Sequence, residues 1–198
     1  MLEALLTKKK PKFGDATGIA IDGFTGTPTQ SSGVTKDGDS YSFSAAQTNW
    51  LRIPYAGTPN LVGEDTEIIC RFVVETIPST RLNLFSRYRQ GNDPPSWMIA
   101  IEADGSVNYV YNNRWATMTG PYKIQFGVEQ KIVIRRQGAL YQVYLNDNLI
   151  LSLNYPGTYA NTWDWVFGSY LNGSNGVILN TYSFPAKWTL LGFSAKRI

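Results

Sequence analysis

Residues 66–77 read TEIICRFVVETI. Ile68, Cys70, Phe72 and Val74 alternate with Glu67, Ile69, Arg71, Val73 and Glu75. The period is two, with one fully apolar side and one mixed side, as in a strand that turns one face to a core. Upstream, YSFSAA (41–46) and NWLRIPY (49–55) have the same texture. Downstream come RLNLFSRYR (81–89), SWMIAIEA (96–103) and SVNYVYN (106–112), then KIVIRR (131–136), ALYQVYLN (139–146) and NLILSLNY (148–155). VFGSYL (166–171), VILNTY (177–182) and WTLLGFSAKRI (188–198) complete the series. Turn-like separators stand between them: ADGS at 103–106, RQGA at 136–139 and NDN at 146–148. No segment after residue 13 carries a helical stripe. The pattern predicts an all-β fold, a two-sheet antiparallel jelly-roll sandwich, with no linker inside 41–198.

Composition agrees and removes several chemistries. The 198 residues include 18 Gly, 12 Tyr, 9 Phe and 6 Trp, which suits sheets and turns. There is no histidine and one cysteine, so no histidine base or ligand, no internal disulfide and no cysteine-rich zinc site. Cys70 lies on the apolar side of its strand and reads as a buried, inert thiol. No run of 18 apolar residues occurs, so no membrane span is expected.

The net charge of +3 is local. Residues 1–12 contain Lys8, Lys9, Lys10 and Lys12 against Glu3, and the remainder balances. The body therefore lacks the basic face of a nucleic-acid binder. In MLEALLTKKKPKF the apolar part precedes the charges, the reverse of a secretory signal, so the chain is expected to start here. Residues 14–40, GDATGIAIDGFTGTPTQSSGVTKDGDS, show one short strand, GIAID, among turn formers. Two regions are expected: an extended N-terminal arm over 1–40 and a compact domain over 41–198. Lys8, Lys9, Lys10 and Lys12 could contact nucleic acid, meet an acidic patch on a protein neighbour or form a solvated end; beside them Leu2, Leu5 and Leu6 supply an apolar anchor, which favours an arm docked on a neighbour.

Several stretches carry a family resemblance. YSFSAAQTNWLRIPY looks like an opening strand pair, and DTEIICRFVVETIPST like a long core strand ending in a proline bend. EQKIVIRRQGALYQVYLNDNLI looks like a diagnostic hairpin turning at Tyr144–Asp147. LNLFSRYRQGNDPPSWMIAIEADGSVNYVYN and WTLLGFSAKRI fit the intervening and final strands. Together these resemble the concanavalin A-like lectin/glucanase superfamily, in its laminin-G-like and pentraxin-like branch. The resemblance implies a jelly roll used for sugar binding, protein binding, glucan hydrolysis or a place in a phage virion. The hydrolase branch carries Glu-x-Asp-x-x-Glu, whereas here Glu102 and Asp104 are followed by Val107. The third carboxylate is missing, and Asp104-Gly105 suits a turn, so no catalytic residue and no enzyme activity are expected.

Aromatic residues supply the binding candidates. Trp97, Tyr109, Tyr111 and Trp115 would offer rings for a sugar or a partner, and Asn113 and Arg114, beside Asn112, polar contacts. In a sandwich the same alternation also suits a core. Trp163 and Trp165, flanking Asp164, read as a loop lid over the core. Asp93, Asp147 and Asn148 sit at loop tips where they would lend oxygens to calcium, yet no dense metal motif accompanies them, so no metal or cofactor is expected.

The layout favours a non-enzymatic virion structural protein: a capsid decoration, head-fibre or tail-associated homo-oligomer made in a host cytoplasm and docked by its arm. The alternatives are a carbohydrate-binding module for host-surface or polysaccharide recognition, and, more remotely, a glycan hydrolase or lyase.

Overall fold

The computed structural model describes residues 14–45, 49–59, 63–79, 81–87, 89–90, 97–111, 114–118, 122–156, 163–172, 177–178 and 186–198. All of its regular structure is strand, numbered below in chain order.

The first sheet runs β14 (Asn148–Asn154), β13 (Leu140–Leu145), β12 (Gln130–Gln137), β6 (Thr66–Val74), β18 (Trp188–Arg197), β4 (Ser40–Phe43) and β3 (Val34–Asp37). A further strand, β1 (Gly18–Ile21), lies parallel to β18. The second sheet runs β11 (Arg114–Met118), β10 (Val107–Tyr111), β9 (Trp97–Glu102), β7 (Arg81–Arg87), β15 (Trp165–Phe167), β5 (Leu51–Ile53) and β2 (Thr29–Gln30). A small third sheet joins β17 (Val177–Ile178), β16 (Leu171–Asn172) and β8 (Arg89–Gln90). Pairing in the two large sheets is antiparallel apart from β1. The expected all-β two-sheet sandwich is what the chain forms.

The alternation in 66–77 explains the centre. Ile68, Cys70, Phe72 and Val74 are all buried in the main core. Opposite them the second sheet contributes Phe85, Trp97, Trp165 and Phe167. Phe193 of β18 fits between these rings, with centroids 5.3 Å from Phe85, 5.2 Å from Trp165 and 4.8 Å from Phe167, each near edge-to-face. Such geometry suits the ring quadrupoles, so one residue of the first sheet ties it to two strands of the second. The outer side of β6 is sealed differently. Ile69, Val133 and Tyr144 form a small buried cluster with Ala16. Glu67 is ion-paired to Lys196 at 2.8 Å and lies 3.8 Å from Arg135.

The turns follow the residues that permit them. Asn146 and Asp147 both adopt positive φ, 49° and 63°, and join β13 to β14 through a two-residue hairpin loop. Gly105 has φ 80° in the β9–β10 turn, where Asp104 accepts a hydrogen bond from the Ser106 backbone.

The lead-in departs from expectation. Residues 18–21, 29–30 and 34–37 are strands of the two large sheets, so the described part of the 1–40 segment belongs to the sandwich. Gly38, at φ 55°, turns β3 into β4. β1 fits because Gly192 has no side chain. A Cβ there would lie 2.1 Å from the Ala16 carbonyl oxygen. The docking residues expected within 1–13, Leu2, Leu5, Leu6 and the four lysines, lie outside the described residues.

Candidate functional site

Trp97 and Tyr109 do not line a binding face. Both are buried in the core between the sheets. Trp97 stands edge-on to Phe85 and Trp165, with ring centroids 5.8 Å and 5.4 Å away. The reason is the pleat: Trp97, Ile99 and Ile101 face inward, as do Val107 and Tyr109. The other side of β9 and β10 carries Met98 and Val110, which cluster with Tyr170. Asn83, Ala100 and Asn108 stand side by side in the strand register and are buried too. Asn108 donates to Glu102, whose Oε1 also accepts from Arg81 at 2.6 Å. Tyr111 pairs with Trp97 and Arg114 in register, and Trp115 with Val110. The side chains of Tyr111, Arg114 and Trp115, and the whole of Asn112 and Asn113, lie outside the described residues.

Trp165 is likewise a buried strand residue and not a lid. Asp164 next to it accepts from Arg52 at 2.5 Å and from the Tyr55 backbone at 3.0 Å.

The carboxylates singled out from the sequence are tied to basic partners. Asp104 bonds to Lys123 and to Ser106, and these hydrogen bonds hold its carboxyl well below the usual range. Asp147 lies 3.1 Å from the Lys131 ammonium. Among the described residues no three acidic or thiol side chains converge on one point. Asp93 lies outside them.

An open cleft of about 240 Å³ occurs instead at one end of the sandwich. It lies between residues 122–125 and the β13–β14 hairpin tip. Tyr122 stands at its mouth with 43% of its surface exposed. Carboxamides form the walls: Gln125, Gln130, Asn146 and Asn148. Three of them are held in place. Gln130 donates to the Glu129 carbonyl at 2.9 Å and accepts from Asn146 Nδ2 at 2.8 Å. Asn146 Oδ1 accepts from the Lys131 backbone at 2.8 Å. Asn148 donates to the Leu145 and Asn146 carbonyls at 3.2 Å and 3.1 Å. The left-handed backbone at Asn146 turns its amide to Gln130, and the second N–H of that amide is not used by these bonds. Lys123 is held at the rim by Asp104. The cleft thus offers one exposed ring, fixed amide groups and a single, already paired, cation.

The sequence reading missed this cleft. Tyr122 lies between the predicted strands at 106–112 and 131–136 and belongs to no periodic segment. Asn146 was visible only as a turn residue, and Asn148 only as a turn residue and a loop-tip oxygen for calcium.

No family model matches the sequence, and no curated protein does. Solved structures share the fold. A Trypanosoma rangeli sialidase, determined with 2,3-difluoro-KDN, aligns at TM-score 0.63 and 11% identity over 84% of this chain and 26% of its own. The binding domain of botulinum neurotoxin serotype D aligns at TM-score 0.61 and 11% identity, over 88% of this chain and 44% of its own. The carbohydrate binding module CBM66 from Bacillus subtilis aligns at TM-score 0.54 and 8% identity, over 91% of this chain and 99% of its own. The chain spans about a quarter of the sialidase. At these identities the likeness is one of fold.

Proposed function

We propose that this chain is a non-catalytic carbohydrate-binding module that holds a neutral saccharide in the Tyr122 cleft. The observation that carries this reading is the exposed Tyr122 ring beside fixed carboxamides in an open cleft. A sugar offers a C–H face to an aromatic ring and hydroxyls to amides, and the cleft supplies both kinds of group. Among the described lining residues the cation is Lys123, which is paired with Asp104, and this favours an uncharged ligand over an acidic one. A sandwich of matching size, the Bacillus subtilis module, has carbohydrate binding in its name, which adds support at the level of fold. Among the described lining residues there is no carboxylate, and this reading is one of binding.

The alternative as a virion component rests on the arm, whose anchor residues lie within 1–13, outside the described residues. No described feature favours it over glycan binding.

Titration calorimetry against a panel of neutral oligosaccharides tests the proposal. Binding that weakens about tenfold or more in Tyr122→Ala is expected. No binding across the panel, or binding indifferent to Tyr122, would overturn it.

A further inference from the structure

We propose that a second cleft, between β1 and the β3–β4 hairpin, binds a small zwitterion of the amino-acid type, with its carboxylate on Lys36 and its amine on Asp39. The cleft follows from the strand order. β6 takes one side of β18 along its length. On the other side β4 pairs with Trp188–Leu190 and β1 with Gly192–Ala195. Where β4 gives way to β1, a cleft of about 290 Å³ opens, with Tyr41 of β4 and Gly18 and Ile19 of β1 among its walls.

The groups around it are set in place. Lys36 stands opposite Tyr41 in the hairpin register, and its ammonium lies 5.8 Å from the centre of that ring. Asp39 rests against Gly18, where a Cβ would lie 3.4 Å from the carboxylate oxygen. The Phe24 ring rests against Gly26, where a Cβ would lie 3.1 Å from it. Ile19, Phe24 and Pro28 are half-buried and give the cleft an apolar wall.

The charges select the ligand. Lys36 and Asp39 are both exposed, and among the described residues neither forms an ion pair or a side-chain hydrogen bond, with the other or elsewhere. The lysine of the Tyr122 cleft, by contrast, is already paired. A purely acidic ligand would meet Lys36 but bring a like charge towards Asp39, and a purely basic one would do the reverse. A ligand with both signs is complementary to both groups, and an apolar side chain suits the wall. An aliphatic amino acid such as leucine has these three parts.

Titration calorimetry of the full chain with L-leucine, N-acetyl-leucine and leucinamide, at about pH 6 where the free amines are charged, reads the outcome. L-Leucine is expected to bind about fivefold or more tighter than either analogue. In Asp39→Asn its advantage over N-acetyl-leucine is expected to vanish, and in Lys36→Gln its advantage over leucinamide. Both positions are exposed, so both variants are expected to melt as the native chain does. No binding of leucine at millimolar concentration would overturn the proposal. So would analogues that bind as well as leucine, or a preference that persists in both folded variants. Neither residue lines the Tyr122 cleft, so Tyr122→Ala is expected to keep leucine binding whether or not that cleft takes saccharides. Its loss there would overturn the assignment to this cleft.

Discussion

The guanidinium carbon of Arg87 lies 5.1 Å from the centre of the Trp165 ring, deep within the protein. Arg87 Nε donates to the Trp163 carbonyl at 2.8 Å and Nη1 to the Pro59 carbonyl. One side chain of β7 thus fastens two separate loops and covers a core indole. Arg87→Met keeps bulk but leaves both buried carbonyls without their donor. A loss of about 2–4 kcal/mol is expected, measured as a lower urea midpoint with unchanged slope. Arg87→Lys, which cannot fork to both carbonyls, is expected to recover only part of it.

Alkaline stability should be set by tyrosines. Burial pushes the Tyr109 phenol far up, with Tyr141 adding to the rise and Arg136 opposing it. Burial raises Tyr141 as well, against the pull of Arg136. The unfolded chain releases these protons near pH ~10 while the folded chain keeps them. Their stabilisation is full below that pH and is lost progressively from there up to the raised folded values. Arg87 acts the other way: burial lowers it to about 10, so from there up to its ordinary guanidinium value its folded form gains stability with pH. Burial also raises the Cys70 thiol and the Tyr144 phenol, so four raised groups oppose one guanidinium and stability should fall from about pH 9 upward. Urea midpoints across that range check this, and Tyr141→Phe should flatten the decline.

The close approach of β1 depends on Gly192. A Cβ placed 2.1 Å from a backbone oxygen forces the chain near Ala16 and Thr17 to move. Gly192→Ala should cost about 1–3 kcal/mol. Hydrogen exchange should speed up at Gly18–Ile21 more than at β12 or β13. Uniform exchange across the first sheet would place the cost elsewhere.

Phe193 should be the most sensitive core position. Phe193→Ala removes three edge-to-face partners and opens a cavity between the sheets. A loss of about 3–5 kcal/mol is expected by denaturant titration. Phe193→Leu, which fills more of the space, should lose less.

Much of the fold was legible because strand alternation is local. The set Ile68, Cys70, Phe72 and Val74 is inward in the sequence pattern and in the structure. The turns at Asp104-Gly105 and Asn146-Asp147 follow from residues that tolerate left-handed backbone. Missing histidine and a lone buried cysteine restrict the chemistry without any fold at all. What sequence could not decide is which side of a strand faces the other sheet when both sides are apolar. On β9, Trp97 and Met98 are both buried, and only sheet-on-sheet packing sends Trp97 into the core. Nor does a period of two show that Gly192 makes room for Ala16, or that Tyr122 and Asn146 line one cleft. Those contacts join segments far apart along the chain. Local propensity fixes the strands, whereas the burial of two sheets against each other fixes which segments meet.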